Sequence, residues 1–193
     1  MGLRNWLTSR RNRGAARAVY FAAETWLIDI HATLANADSA DDRAALLGRA
    51  HKWTSTQANI YPAAFGPDPL DDEDGQDMAE SLTWTALLYR LLADVETAVA
   101  YPGRGRRWTD SPLERVAGDV LDSMAATPDL AARTRLLQDL AAEVEPVAGV
   151  QAVETLWTLP SPGYDGWMTI SAKNDRLQAQ GYGRPLYREG WPS

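Results

Sequence analysis

"QDMAESLTWTALLYRLLADVETAVA", residues 76–100, is the stretch that decides the fold. At about 100° per residue, Met78, Leu82, Trp84, Leu87, Leu88, Tyr89, Leu91, Leu92, Val95 and Val99 cover about two-thirds of a helix circumference. Thr83, Arg90, Asp94 and Thr97 form the strip left polar, and no Gly or Pro interrupts the run. A helix so apolar is enclosed by other helices. The expectation is therefore an all-α bundle with residues 76–100 at its centre.

Working outward, four more helices are expected, about five in all. Residues 15–36 place Val19, Tyr20, Ala23, Trp26, Leu27, Ile30 and Leu34 on one broad face. Residues 40–58 follow Ser39 as N-cap with acids in the first turn, and carry a stripe of Leu46, Leu47, Ala50 and Trp53. "YPAAFGPDPLDDEDG", residues 61–75, has three Pro and two Gly and reads as a long loop. Beyond the central helix, Ser111, Pro112 and Glu114 form a helix start with a capping box, leading into Leu113, Val116, Val120 and Met124 on one narrow face. Thr127 as N-cap and Pro128 open residues 128–145, which turn Leu130, Leu136, Leu137, Leu140 and Val144 inward.

After Pro146 the helical period fades. "VETLWTL" and "GWMTISA" read as two strands around "PSPGYDG" or as another short helix and loop, of which the small hairpin is the expectation taken, and the last twenty residues read as an extended aromatic tail. The organisation expected is a basic N-terminal arm (1–14), a helical bundle (15–145) and an irregular or β-hairpin C-terminal segment (146–193).

Composition removes several chemistries. With no Cys among 193 residues, disulfides, thiolate nucleophiles and Cys-held zinc or iron–sulfur sites are excluded. Apolar runs are too short to span a bilayer, and Glu24 breaks what would be a signal peptide's apolar region, so a cytoplasmic protein is expected. Charge is uneven. Residues 1–17 hold five Arg and no acid, so against a net −7 the remainder carries −12.

Site motifs largely fail when checked position by position. In "PLDDEDGQDMAE", Gly75 as the sixth residue of a calcium loop puts Leu70 at position one and Ser81 at position twelve, where carboxylates are needed. The acids there read as partners of a helix N-terminus. A two-helix carboxylate cage would use Asp77 and Glu80 with Asp119 and Asp122, but the latter two fall opposite the apolar stripe of their helix and face water. Glu24 and His31 lie on the buried arc of residues 15–36 and require polar partners on neighbouring helices, with Arg133 a candidate for Glu24. Two His cannot build a His-rich di-metal site. No phosphate-loop, nucleophile-elbow or zincin motif occurs, and "GRGRRW" and "GYGRPL" lack the third glycine of a dinucleotide fingerprint.

What remains points to binding. Trp6, Arg10, Arg11 and Arg13 near the start, with Tyr182, Arg184, Tyr187, Arg188 and Trp191 near the end, are the residue types that anchor protein interfaces. The reading is a non-enzymatic cytoplasmic interaction or assembly protein with no catalytic residue, cofactor or metal, and with a protein partner or a second copy. Nucleic acid and membrane are disfavoured by the acidic body. The competing reading is a divalent-metal-dependent all-α hydrolase of a phosphorylated small molecule, using the carboxylates around Asp77 and Glu80.

Overall fold

The computed structural model describes residues 3–34, 36–66, 78–103 and 111–158, and within these the side chains from Asn12 to Leu156. Six helices and no strand occur among them: α1 (Leu3–Leu34), α2 (Ala40–Phe65), α3 (Met78–Ala100), α4 (Pro112–Ala125), α5 (Leu130–Ala148) and α6 (Val150–Thr158). The all-α bundle expected from the sequence is the fold observed.

The hub is α3. It packs closely on α2 and also touches α4, α5 and α6, while α1 lies against α2. Contacts run in descending order along α2, so both of its neighbours are antiparallel to it. Arg17, Glu24 and Trp26 of α1 meet Ala64, Gln57 and Trp53. Arg43 and His51 of α2 meet Glu96 and Ala86 of α3. Leu88, Leu91 and Val95 of α3 join Leu113 and Leu121 of α4, Leu140 and Val144 of α5, and Leu156 of α6 in one core. A second, smaller cluster sits at the other end, where Tyr20 and Tyr61 are in edge contact and Leu82 closes the group.

Several boundaries move, each for a physical reason. The helix expected over 40–58 continues through Pro62 to Phe65. Tyr20, Tyr61 and Phe65 interlock there, and Arg17 lies 5.3 Å over the Phe65 ring while its Nε donates to the Ala64 carbonyl. This packing outweighs the one hydrogen bond that Pro62 forfeits. Gly66 then ends the helix at φ +80°, where its N–H donates to the Pro62 carbonyl. Pro146 is likewise carried inside α5, which ends at Gly149 with φ +78°.

Further along the chain, the capping box of α4 forms as expected. Glu114 N–H donates to Ser111 Oγ, and Ser111 N–H donates to the Glu114 carboxylate. The cap of α5 is Asp129 rather than Thr127. Asp129 accepts from Ala132 N–H, whereas the Thr127 hydroxyl turns back to donate to the Ser123 carbonyl. The stretch beginning "VETLW", expected as a strand, belongs to α6, with Ala152, Val153 and Leu156 buried at helical spacing. The second expected strand, residues 166–172, lies outside the described residues. In α4 the buried face is Leu113, Ala117, Leu121 and Met124, so Val116 is turned out and is 41% exposed.

Candidate functional site

Two polar groups are built into the interior, and they explain the charged residues that fell on apolar faces. Glu96 of α3 is the centre of the first. Arg133 of α5 forms a fork on it, with Nη2 2.9 Å from Oε2 and 3.1 Å from Oε1. Arg43 of α2 reaches the same carboxylate at 3.1 Å. The Nη1 atoms of both guanidinium groups are directed to backbone. Arg43 Nη1 donates to the Ala37 carbonyl before α2, and Arg133 Nη1 to the carbonyls of Thr127 and Pro128 before α5. All three side chains are buried. One carboxylate thus ties three helices and two connections together. The pairing expected between Glu24 and Arg133 does not form, because Glu96 occupies that guanidinium.

The second group lies between α1, α2 and α3. Gln57 Nε2 donates to Glu24 Oε2 at 3.2 Å, and His31 Nε2 shares a 2.7 Å hydrogen bond with the Tyr89 hydroxyl. All four residues are buried. Burial, with a smaller contribution from the charge of Glu24, raises the Tyr89 phenol well above the ordinary tyrosine range. The sign of the consequence follows. Unfolded Tyr89 ionises near its ordinary pKa of about 10, while folded Tyr89 stays neutral. Its contribution to stability is complete below that pH and is lost as pH rises beyond it. Urea denaturation at pH 9 and pH 11 is expected to show a fall in stability that Tyr89→Phe reduces. An unchanged pH slope in the variant contradicts the assignment.

Both groups link helices of the bundle. The surface holds the candidate for function, on the outer side of α1. Val19 and Trp26, expected inside, are 46% and 44% exposed. The buried arc is Tyr20, Ala23, Glu24, Leu27, Ile28, Ile30, His31 and Leu34, rotated about the helix axis away from Val19 and Trp26. Asn12, Ala15, Val19, Ala22, Trp26, Asp29 and Thr33 alternate in steps of three and four and lie on the outer side, Asp29 partly buried and the others exposed. Alternating three- and four-residue steps are the spacing of a helix that meets a second helix. Trp26 is held in place by Trp53 of α2, the rings 6.0 Å apart and 7° from parallel. A rigid aromatic presented to solvent on a helix face is what an interface anchor requires.

A separate shallow groove of about 370 Å³ runs between α2 and α3, lined by Ala58, Ala79, Glu80, Thr83, Trp84 and Leu87. Trp84, expected in the core, is half-buried there, and its indole N–H donates to Glu80 at 3.3 Å. That bond engages one of the two carboxylates assigned to a metal on this helix, and Asp77 lies outside the described residues. Asp119 and Asp122 are exposed, as their helical phase requires. Among the described residues no group of three or more His, Asp or Glu is placed to hold a metal ion.

Of the expected partner-binding residues, Arg13 is exposed on α1. Trp6, Arg10 and Arg11 lie on the α1 backbone, with side chains outside the described set. Tyr182, Arg184, Tyr187, Arg188 and Trp191 fall outside the described residues. Arg43 and Glu96 were missed as a pair, although each carried a signal. Arg43 precedes Leu46, Leu47 and Ala50 by three, four and seven residues, and Glu96 follows Leu92 and Tyr89 by four and seven. No described helix is long and apolar enough to cross a membrane. Comparison with protein-family models, curated proteins and solved structures gives no match to this chain.

Proposed function

We propose that this is a non-enzymatic interaction or assembly protein of the cytoplasm, with another protein surface as its ligand. The observation that carries this reading is the outer face of α1. Val19 and Trp26 are large apolar side chains left partly in solvent on a helix whose adjoining face is packed on α2. Exposed apolar surface of this kind, contiguous and edged by polar residues, marks an interaction site. Absence of Cys agrees with a compartment where no disulfide is needed.

The test is the native size of the full chain in an extract of cells that express it. The wild-type chain is expected to elute well above the 21.2 kDa of one copy. Val19→Glu combined with Trp26→Glu should return it to the size of one copy, because both carboxylates would have to be desolvated in the contact. Both positions are exposed, so the helix content should not change. A wild-type chain that elutes as a single copy in the extract overturns the reading.

A further inference from the structure

We infer that the outer face of α1 is covered by the same face of a second copy, with the two helices antiparallel about a two-fold axis near Val19 and Ala22. This rests on the interaction role proposed above and names its partner.

Three observations select this occupant. The first is the matching of side chains in size. In the antiparallel register where paired residue numbers add to about 41, Val19 faces Ala22 of the second copy, and Trp26 faces its Ala15. Each large residue then meets a small one, and the same contacts recur on the other side of the axis, as an isologous interface requires. In a parallel pair, by contrast, Trp26 meets Trp26 and Val19 meets Val19.

The second observation is where the polar residues of the stripe fall. Asn12 and Asp29 bracket its apolar centre. The antiparallel register places Asn12 beside Asp29 of the second copy, so the polar positions pair with each other at the rim. Ala15 and Ala22 are exposed and lie beside Val19, which allows the backbones to approach closely.

The third is charge. Residues 1–17 carry five Arg and no acid, whereas residues 29–42 carry four Asp and neither Lys nor Arg. An antiparallel pair brings the basic end of each α1 towards Asp29 of the other, beyond which Asp38 and the first turn of α2 with Asp41 and Asp42 follow. A parallel pair brings the two basic ends together, and like charges at an interface reject that arrangement.

Sedimentation velocity on the purified full chain tests the partner, and single-cysteine variants test the orientation. The wild-type chain is expected to sediment at twice 21.2 kDa at micromolar concentration. Ala22→Glu puts two carboxylates beside the axis and should weaken the dimer at least about tenfold, while circular dichroism stays that of the wild type. Since the chain has no Cys, a mixture of Asn12→Cys and Asp29→Cys chains should form a mixed disulfide faster than either variant alone forms its own. A purified wild-type chain of single-copy mass overturns the homodimer, as does an Ala22→Glu dimer of wild-type strength. Faster self-crosslinking of Asn12→Cys overturns the antiparallel arrangement. If the purified chain is a single copy while the extract shows a larger species, the homodimer falls and the interaction role stands. If both are single copies, both fall.

Discussion

Glu96→Gln is expected to lower the unfolding free energy by about 3–5 kcal/mol, the range found when one member of a buried ion pair is removed. The substitution keeps the size of the side chain but leaves Arg43 and Arg133 charged, buried and facing a neutral amide. Coulomb attraction and hydrogen bonds to a carboxylate now offset the desolvation of two guanidinium groups. Without the charge, that desolvation stands uncompensated. For a chain of this length the loss amounts to a fall in Tm of roughly 6–20 °C. A combined Arg43→Met, Glu96→Leu and Arg133→Met variant is expected to regain most of the lost stability, because it removes the buried charges together. Calorimetry on the single and the combined variant separates the two contributions. A Glu96→Gln chain that melts like the wild type would show that Glu96 does not hold the helices.

Leu88→Ala is the second large effect expected, at about 2–5 kcal/mol. Leu88 is fully buried on the helix that packs against α2, α4, α5 and α6. A cavity beside α3 is bounded by several elements already fixed to one another, so collapse is restricted and the upper half of that range applies. Denaturant unfolding should show a lower midpoint with an unchanged slope, since the surface exposed on unfolding is nearly the same. A midpoint shift equivalent to less than about 1 kcal/mol would place Leu88 in a region free to relax.

How much of this was legible in the sequence follows from which physical term dominates at each place. The dominance of α3 could be read directly, because its apolar arc is wide and uninterrupted. The capping box of α4 could be read because caps are local, involving four consecutive residues. The extension of α2 through Pro62 could not. Proline's local preference is to end a helix, and it was overruled by Tyr20 and Arg17, more than forty residues away in sequence. The hairpin expected at residue 153 failed for a related reason. Nine residues of α6 are too few for a strong periodic signal, and their helix is secured by burial of Ala152, Val153 and Leu156.

The candidate site was the least legible feature, for a reason that matters to its function. Val19 and Trp26 were assigned to the core because apolar residues at helical spacing usually are core. The sequence shows that the apolar arc of α1 is broad, but not that α2 covers only part of it. Large apolar residues left outside the buried arc are the pattern expected of a helix with a second partner. The acidic run 68–80 and the Arg-rich start posed the opposite problem, charges conspicuous in sequence with no local chemistry to explain them. Pairing α1 with itself gives the basic start an acidic counterpart in residues 29–42.

That pairing is tested most directly by a distance. A nitroxide on Asn12→Cys labels each chain once, since no other Cys is present. In the antiparallel pair the two labels are separated by the rise from residue 12 to residue 29, so pulsed dipolar spectroscopy should find a distance of about 25–30 Å. A distance under about 15 Å, the separation in a parallel pair, or no dipolar coupling at concentrations that should favour the dimer, would contradict the account.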